Sequence, residues 1–296
     1  MYLPPPPLGI QVISSKYTSR NRLSLVAMLL EVVLLLLMSV AVLYEWSPRF
    51  RYNLRFMVMY GGALLVGICV APLGLLRPCD ARNSLLFTRP LRLVGLLLGI
   101  RWQVRGAQHL QPDRACIVVA NHQSAVDVLG MVELWPRLGR VVTVMKKEIW
   151  LGLPFALACW LCGQLFIDRS NATRARASLE RAAQRMLDER LAVWFYPEGT
   201  RNRSGTGLLP FKKGAFHMAV RAQVPVVPVV FGPYRAFLEP ARCHFEPGLA
   251  VAQVLDPIPT EGLGVDDVPQ LLERVQGRMA EAYCQLSEEL DATKAT

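Results

Sequence analysis

Two long apolar runs near the N-terminus limit what this chain can fold into more than any other feature. Leu23 to Tyr44 carries one charge, Glu31, over 22 residues, and Phe56 to Leu76 carries none over 21. At a rise of about 1.5 Å per residue either run, as a helix, is long enough to cross the ~30 Å hydrocarbon core of a bilayer. A secretory signal would have an apolar region of only about 7–15 residues and a small-residue cleavage site, and neither fits the run ending at Glu45-Trp46. The expectation is a membrane helical hairpin over 23–76. Its turn is the polar stretch 45–55, and Gly61, Gly62 and Gly67 let helices approach closely. Ahead of it, residues 1–22 hold Pro4 to Pro7 and then Lys16, Arg20 and Arg22, and are expected to form a disordered tail.

Flanking charge does not orient the hairpin. Three basic residues precede it (Lys16, Arg20, Arg22), three lie in its turn (Arg49, Arg51, Arg55) and four follow (Arg77, Arg82, Arg89, Arg92). An ionised Glu31 facing lipid is costly, so either it pairs within the hairpin or the hairpin lies shallowly in one leaflet. In both cases residue 77 returns to the side of residue 1.

Within 296 residues the remainder, 77–296, makes one domain of ordinary catalytic size, with its motifs between about residues 90 and 280. A composition of 52% hydrophobic and 19% charged residues excludes disordered and fibrous classes. The net charge of +10 suits a partner that carries phosphate. The basic residues follow apolar helices and strand ends and do not interleave with exposed aromatics, so the pattern disfavours nucleic acid. Seven scattered cysteines give no disulfide framework. Cys159-x-x-Cys162 has no second Cys/His pair to complete a zinc site and lies in apolar flanks, so these read as buried or bilayer-facing thiols, and no metal site is expected.

Short apolar runs at Trp102–Val104, Cys116–Ala120, Val141–Val144, Leu191–Tyr196 and Val224–Val230 read as buried strands separated by helices such as 172–189, the pattern of an α/β domain. A closing helix is expected over 266–290, with Val268, Leu271, Leu272, Val275, Met279 and Tyr283 on its apolar stripe. The segment Trp150–Phe166 is expected to be a core helix beside the active site.

The strand Cys116–Ala120 runs into Asn121-His122-Gln123-Ser124-Ala125-Val126-Asp127, which places His122 at a strand's carboxyl end, where open α/β folds bind ligands. On one continuous helix His122 and Asp127 would lie about 140° apart. With a turn first and the helix starting after Ser124, the carboxylate can reach the imidazole Nδ1 and leave Nε2 to take a hydroxyl proton. The plainer alternative is that Ser124-x-x-Asp127 is a helix capping box and His122 a loop residue. After a second strand, Pro197-Glu198-Gly199-Thr200-Arg201 brings backbone amides, a hydroxyl and a guanidinium together in a manner that suits one phosphate. No G-x-S-x-G, G-x-x-x-x-G-K-[ST] or H-E-x-x-H is present.

Asn121-His122-x4-Asp127, Phe166-Ile167-Asp168-Arg169, Pro197-Glu198-Gly199-Thr200-Arg201 and Val224-Pro225-Val226-Val227-Pro228 stand in the order and approximate spacing of the four blocks of the glycerolipid acyltransferase family. The chain resembles its 1-acylglycerol-3-phosphate acyltransferases, and most of all the animal endoplasmic-reticulum type. The resemblance implies a single acyltransferase domain with a central mixed sheet flanked by helices, preceded by the membrane hairpin. It implies acyl transfer from acyl-CoA, as co-substrate and with no cofactor, to the sn-2 hydroxyl of lysophosphatidate at a lipid bilayer. His122 would be the general base and Asp127 its partner. Arg169, Glu198, Gly199, Thr200 and Arg201 would shape the acceptor pocket, Lys146 would face the same phosphate, and Val224 and Pro225 would line the acyl-CoA side. The expected location is the endoplasmic-reticulum membrane with the domain facing the cytosol, so the sequons at Asn171 and Asn202 should stay unmodified. Glycerol 3-phosphate or another lysophospholipid is the alternative acceptor, and a non-catalytic lipid-binding protein is the alternative of another class.

Overall fold

The computed structural model describes residues 8–148, 155–168, 172–204 and 206–295. The chain divides into two compact units, Met1–Asn53 and Leu54–Thr296. The first holds helix α1 (Leu8–Trp46) and the opening turns of α2 (Pro48–Gly74), and both helices are long and apolar enough to cross a membrane. The break between them is written locally. Ser47 Oγ accepts the Phe50 amide hydrogen at 3.2 Å, and Pro48 takes the first helical position, where its missing N–H costs nothing.

Two expected boundaries move. Helix α1 begins at Leu8, so residues 8–22 are helical where a tail was expected; after Pro7 no proline recurs until Pro48 to stop the helix. The polar turn expected over 45–55 shrinks to Ser47, and Arg49, Arg51 and Arg55 ride on the first turns of α2. Arg51 lies over the Tyr44 ring at 5.5 Å.

The second unit is built on a seven-stranded sheet in the order β1-β9-β6-β2-β5-β3-β4. Its strands are β1 (Ile100–Arg105), β2 (Cys116–Ala120), β3 (Val141–Lys146), β4 (Leu165–Ile167), β5 (Ala192–Phe195), β6 (Val226–Phe231) and β9 (Gly248–Val254); β7 (Leu238–Glu239) and β8 (His244–Phe245) form a separate ribbon. β6, β2, β5, β3 and β4 run parallel, and β9 pairs antiparallel to β6 while remaining parallel to β1. The sheet is therefore mixed. Its central strands are apolar along their whole length because helices cover both faces.

On one face, Ile117, Val119, Val193 and Phe195 pack with α6 (Ala172–Glu189), α7 (Gly214–Ala222) and α8 (Val268–Ala295) through Met186, Phe216, Val275 and Met279. On the other lie α3 (Thr88–Leu97) and α4 (Asp127–Leu138). There Gly130 leaves no room for a side chain: a β-carbon would come within 2.6 Å of the Phe231 and Trp102 rings.

Residues of α2 from Leu54 onward pack on this domain. A β-carbon on Gly62 would meet Val94 of α3 at 2.9 Å, and one on Gly67 would touch Ala158 at 3.8 Å, so the small residues of α2 fit the domain's own helices. Asn83 Nδ2 donates to Gly74 O, Arg77 O and Leu161 O, which ties the end of α2 to the end of α5 (Phe155–Leu161). Arg55 is buried, with its guanidinium on Leu98 O and over the Phe245 ring. The core helix expected over 150–166 is shorter. After α5 the chain turns at Gly163, in the left-handed region with φ +65°, and enters β4, while residues 149–154 lie outside those described.

Candidate active site

The carboxyl ends of the parallel strands β2, β5 and β3 deliver the chemistry. Two amide clasps hold the end of β2. Asn121 Nδ2 donates to Phe231 O at 2.9 Å while its Oδ1 accepts Phe231 N–H at 2.7 Å, and Gln123 Nε2 donates to Phe231 O and Gly232 O, each at 3.0 Å. His122 is thereby fixed between them.

Its Nδ1 donates to Asp127 Oδ2 at 2.6 Å, and the Asp127 side chain is fully buried. The same carboxylate accepts Gln123 N–H at 2.8 Å and Ser124 N–H at 3.1 and 3.2 Å on its two oxygens. Asp127 is the first residue of α4, so its carboxylate ties the 123–124 loop to the helix start while it orients the imidazole. Of the alternatives left open by the sequence, the imidazole–carboxylate pair is realised, and α4 carries no side-chain cap bond that would make Ser124-x-x-Asp127 a capping box. Nδ1 carries the hydrogen, and Nε2 is left at the cavity as an acceptor.

Glu198 holds the loop in place. It is buried, accepts His122 N–H at 2.8 Å through Oε1 and Leu209 N–H at 3.2 Å through Oε2, and its carboxyl is pushed above the ordinary range chiefly by burial. Asn202 N–H donates to His122 O at 2.6 Å. The two loops that follow β2 and β5 are therefore one bonded unit. Glu198 does not line the pocket as expected. The tight pairing of the loops turns it inward, and it acts through His122 and Leu209.

A cavity of about 710 Å³ opens at His122. Phe87, Leu91, Val128, Met131, Trp135 and Phe155 make its apolar bore, and Lys146, Arg201 and Arg203 stand on its wall with Tyr196, Gly199 and Thr200. Three cations and, among the described residues, no carboxylate line it. Gly199 sits at φ +70°, which lets the strand turn sharply and present Thr200 and Arg201 to the space. Cys159 and Cys162 line the same wall as buried thiols, with burial pushing the Cys162 thiol up to about 12 and Cys159 higher still. Among the described residues no cluster of three or more metal-binding side chains occurs.

The structure thus brings together His122, Asp127, Lys146, Gly199, Thr200 and Arg201. Arg169 lies outside the described residues; its neighbour Asp168 pairs with Lys147 at 2.8 Å, beside Lys146. Val224 and Pro225 do not join the site. They precede β6, and Pro225 O accepts the amide hydrogen of Ile117 at the start of β2. Parallel strands put that end about 20 Å from the carboxyl ends, at ~3.3 Å per residue over the six residues of β6. Tyr196 and Arg203 also line the cavity, where neither was expected as a site residue. The Asn202 sequon is closed by the fold: its amide is buried, with Nδ2 on Thr206 O and Gly207 O and Oδ1 on Ser204.

The acyltransferase family model matches residues 101–232, which contain His122, Asp127 and the three cations of the cavity. A human protein, 1-acyl-sn-glycerol-3-phosphate acyltransferase alpha, is 41% identical over 246 residues, covering 83% of this chain and 86% of its own. This chain belongs to the 1-acyl-sn-glycerol-3-phosphate acyltransferase family. A 1-acyl-sn-glycerol-3-phosphate acyltransferase of Haemophilus influenzae is 34% identical, covering 66% of this chain and 79% of its own. The crystal structure of the 1-acyl-sn-glycerophosphate (LPA) acyltransferase PlsC from Thermotoga maritima shares the fold, with a TM-score of 0.62 and 22% identity over 83% of this chain and 98% of that one. The mixed α/β domain is thus a family acyltransferase domain, and its two N-terminal apolar helices suit membrane association.

Proposed function

We propose that the protein transfers a fatty acyl group from acyl-CoA to the sn-2 hydroxyl of 1-acyl-sn-glycerol 3-phosphate, yielding phosphatidate and CoA for phospholipid and triacylglycerol synthesis. One observation carries this: an imidazole held by a buried carboxylate opens on a cavity that joins an apolar bore to a three-cation wall. The cavity's size suits one lipid-sized ligand. An acceptor with an acyl chain fills the bore, and its phosphate meets Lys146 and Arg201, the second through a planar fork. Glycerol 3-phosphate would leave the bore empty, and a zwitterionic lysophospholipid would use the cations less well.

Nε2 of His122 removes the hydroxyl proton as the oxygen attacks the thioester carbonyl. The tetrahedral adduct collapses with expulsion of the CoA thiolate, which takes the proton back from His122. No covalent enzyme intermediate is required. Arg169, beside the Asp168–Lys147 pair in the chain, completes the phosphate side on this account, and the endoplasmic-reticulum membrane with a cytosolic domain gives access to acyl-CoA. The test offers the purified full-length protein labelled acyl-CoA with glycerol 3-phosphate, lysophosphatidate, lysophosphatidylcholine or monoacylglycerol. Labelled phosphatidate should dominate. Equal or greater use of any other acceptor would overturn the assignment.

A further inference from the structure

The His122 ring has a second partner besides Asp127. Tyr196, the first residue after β5, lies against it with ring centroids 4.0 Å apart and planes 21° from parallel. β5 neighbours β2 in the sheet, so residues just beyond the two strand ends are brought side by side. Trp194 meets the Tyr196 ring at its edge, 6.3 Å between centroids, and the Tyr196 hydroxyl is sealed from solvent beside that indole. What Tyr196 presents to His122 is therefore its aromatic face.

A single hydrogen bond at Nδ1 leaves the imidazole plane free to tilt about the Cβ–Cγ bond, whose torsional well is broad, and such a tilt re-aims Nε2. A flat ring stacked 4.0 Å away blocks that tilt. The same face carries the negative lobe of the aromatic quadrupole, which attracts a cation within about 6 Å much more than it attracts a neutral ring. His122 is neutral before it takes the hydroxyl proton and cationic after it, so the contact strengthens as the reaction proceeds, the condition for an interaction to raise rate as well as binding.

Resting on the assignment of His122 as the base, we propose that Tyr196 is a positioning residue for the reaction: its ring fixes the His122 imidazole plane and stabilises the imidazolium formed in the transition state. The working part is the ring. The hydroxyl faces the Trp194 side, so phenylalanine should serve equally well. The charged and titratable groups around His122 are Asp127 from α4, Glu198, Arg201 and Arg203 from the loop after β5, Lys146 from the end of β3 and Tyr234 beyond β6. All are retained when Tyr196 is replaced.

The experiment measures kcat and both KM values from pH 5 to 9 for the full-length wild type, Tyr196→Phe, Tyr196→Leu and Tyr196→Met, with His122→Ala alongside and folding checked by circular dichroism. Leucine and methionine fill the space without a π face. Tyr196→Phe should stay within about twofold of wild type with its acid limb unmoved. The other two should lose about three- to thirtyfold in kcat, the range of one cation–π contact, with both KM values within about twofold. Their acid limb should move toward lower pH by about half to one and a half pH units, because an imidazolium without the facing ring gives up its proton more readily. An acid limb that stays put in both Tyr196→Leu and Tyr196→Met would overturn the proposal, as would a Tyr196→Phe as impaired as they are. Activity retained by His122→Ala would instead sink the base assignment and leave the stack without a catalytic role.

Discussion

Asp127→Asn is the substitution whose consequence the geometry constrains most tightly. It changes no volume, so the cavity and the apolar bore stay as they are. The carboxylate accepts from three N–H groups, His122 Nδ1 at 2.6 Å, Gln123 N at 2.8 Å and Ser124 N at 3.1 and 3.2 Å, in a fully buried setting. An asparagine has one acceptor oxygen, and its NH₂ must point at some of these donors. If it points at His122, the imidazole switches tautomer and carries hydrogen on Nε2, where the substrate hydroxyl needs an acceptor; in the serine-protease triad the equivalent change costs about 10⁴-fold in kcat. If it points away, the geometry survives, and what is lost is one hydrogen bond to a charged group, about 1.5–3 kcal/mol or roughly ten- to a hundredfold. Rotamer exchange between the two gives an expected kcat loss between about 10 and 10⁴, with both KM values within about threefold. The assay is initial-rate CoA release at varied acyl-CoA and lysophosphatidate. A kcat within tenfold of wild type, or a selective rise in the acyl-CoA KM, would refute the role given to Asp127.

Three further outcomes are expected. Burial raises the Glu198 carboxyl pKa above its usual 4.5, so the folded state holds that proton more tightly than the unfolded one. Its stabilising contribution is therefore full below pH 4.5 and declines as pH rises through the raised value. The melting-temperature advantage of wild type over Glu198→Gln should shrink as pH rises, and an advantage that grows contradicts the sign. Gly130→Ala forces a methyl into the Phe231 and Trp102 rings and should cost about 1–3 kcal/mol by denaturant unfolding; no change in the midpoint would show that the rings yield freely. Arg201→Ala should lower kcat/KM for lysophosphatidate roughly ten- to a hundredfold, with Arg201→Lys recovering part. The double variant with Lys146→Ala should cost less than the sum of the singles, whereas a loss confined to acyl-CoA affinity would move the cations to the donor side.

The parts of the fold that were legible in the sequence are those where burial acts on both faces of a strand. Cys116–Ala120 and Ala192–Phe195 are wholly apolar because helices cover both sides of them, and such runs announce themselves. Gly248–Val254 was not recognised, since its burial is broken by Leu249 and Gln253, and Leu165–Ile167 is too short to show a period. His122 and Asp127 were legible as a pair because a strand end and a helix start within five residues leave them few places to go. Glu198 and Val224-Pro225 were misplaced for a shared reason. Their motifs mark them as important but do not say at which end of a strand, or on which side of a loop, the chain will hold them. Tyr196 was hidden in plain view, because an aromatic at the end of an apolar strand reads as core until the neighbouring strand places a histidine against it.

The claim at the centre is that an Asp127-oriented His122 takes the proton from a lipid hydroxyl. It is tested most directly by His122→Ala in the full-length, membrane-reconstituted protein, with phosphatidate and CoA formation followed together by mass spectrometry. The loss of the base should reduce both products to the uncatalysed background while the helical signal and vesicle association match wild type, because the strand and the Asn121 and Gln123 clasps that support position 122 are untouched. Turnover within a few fold of wild type would contradict it.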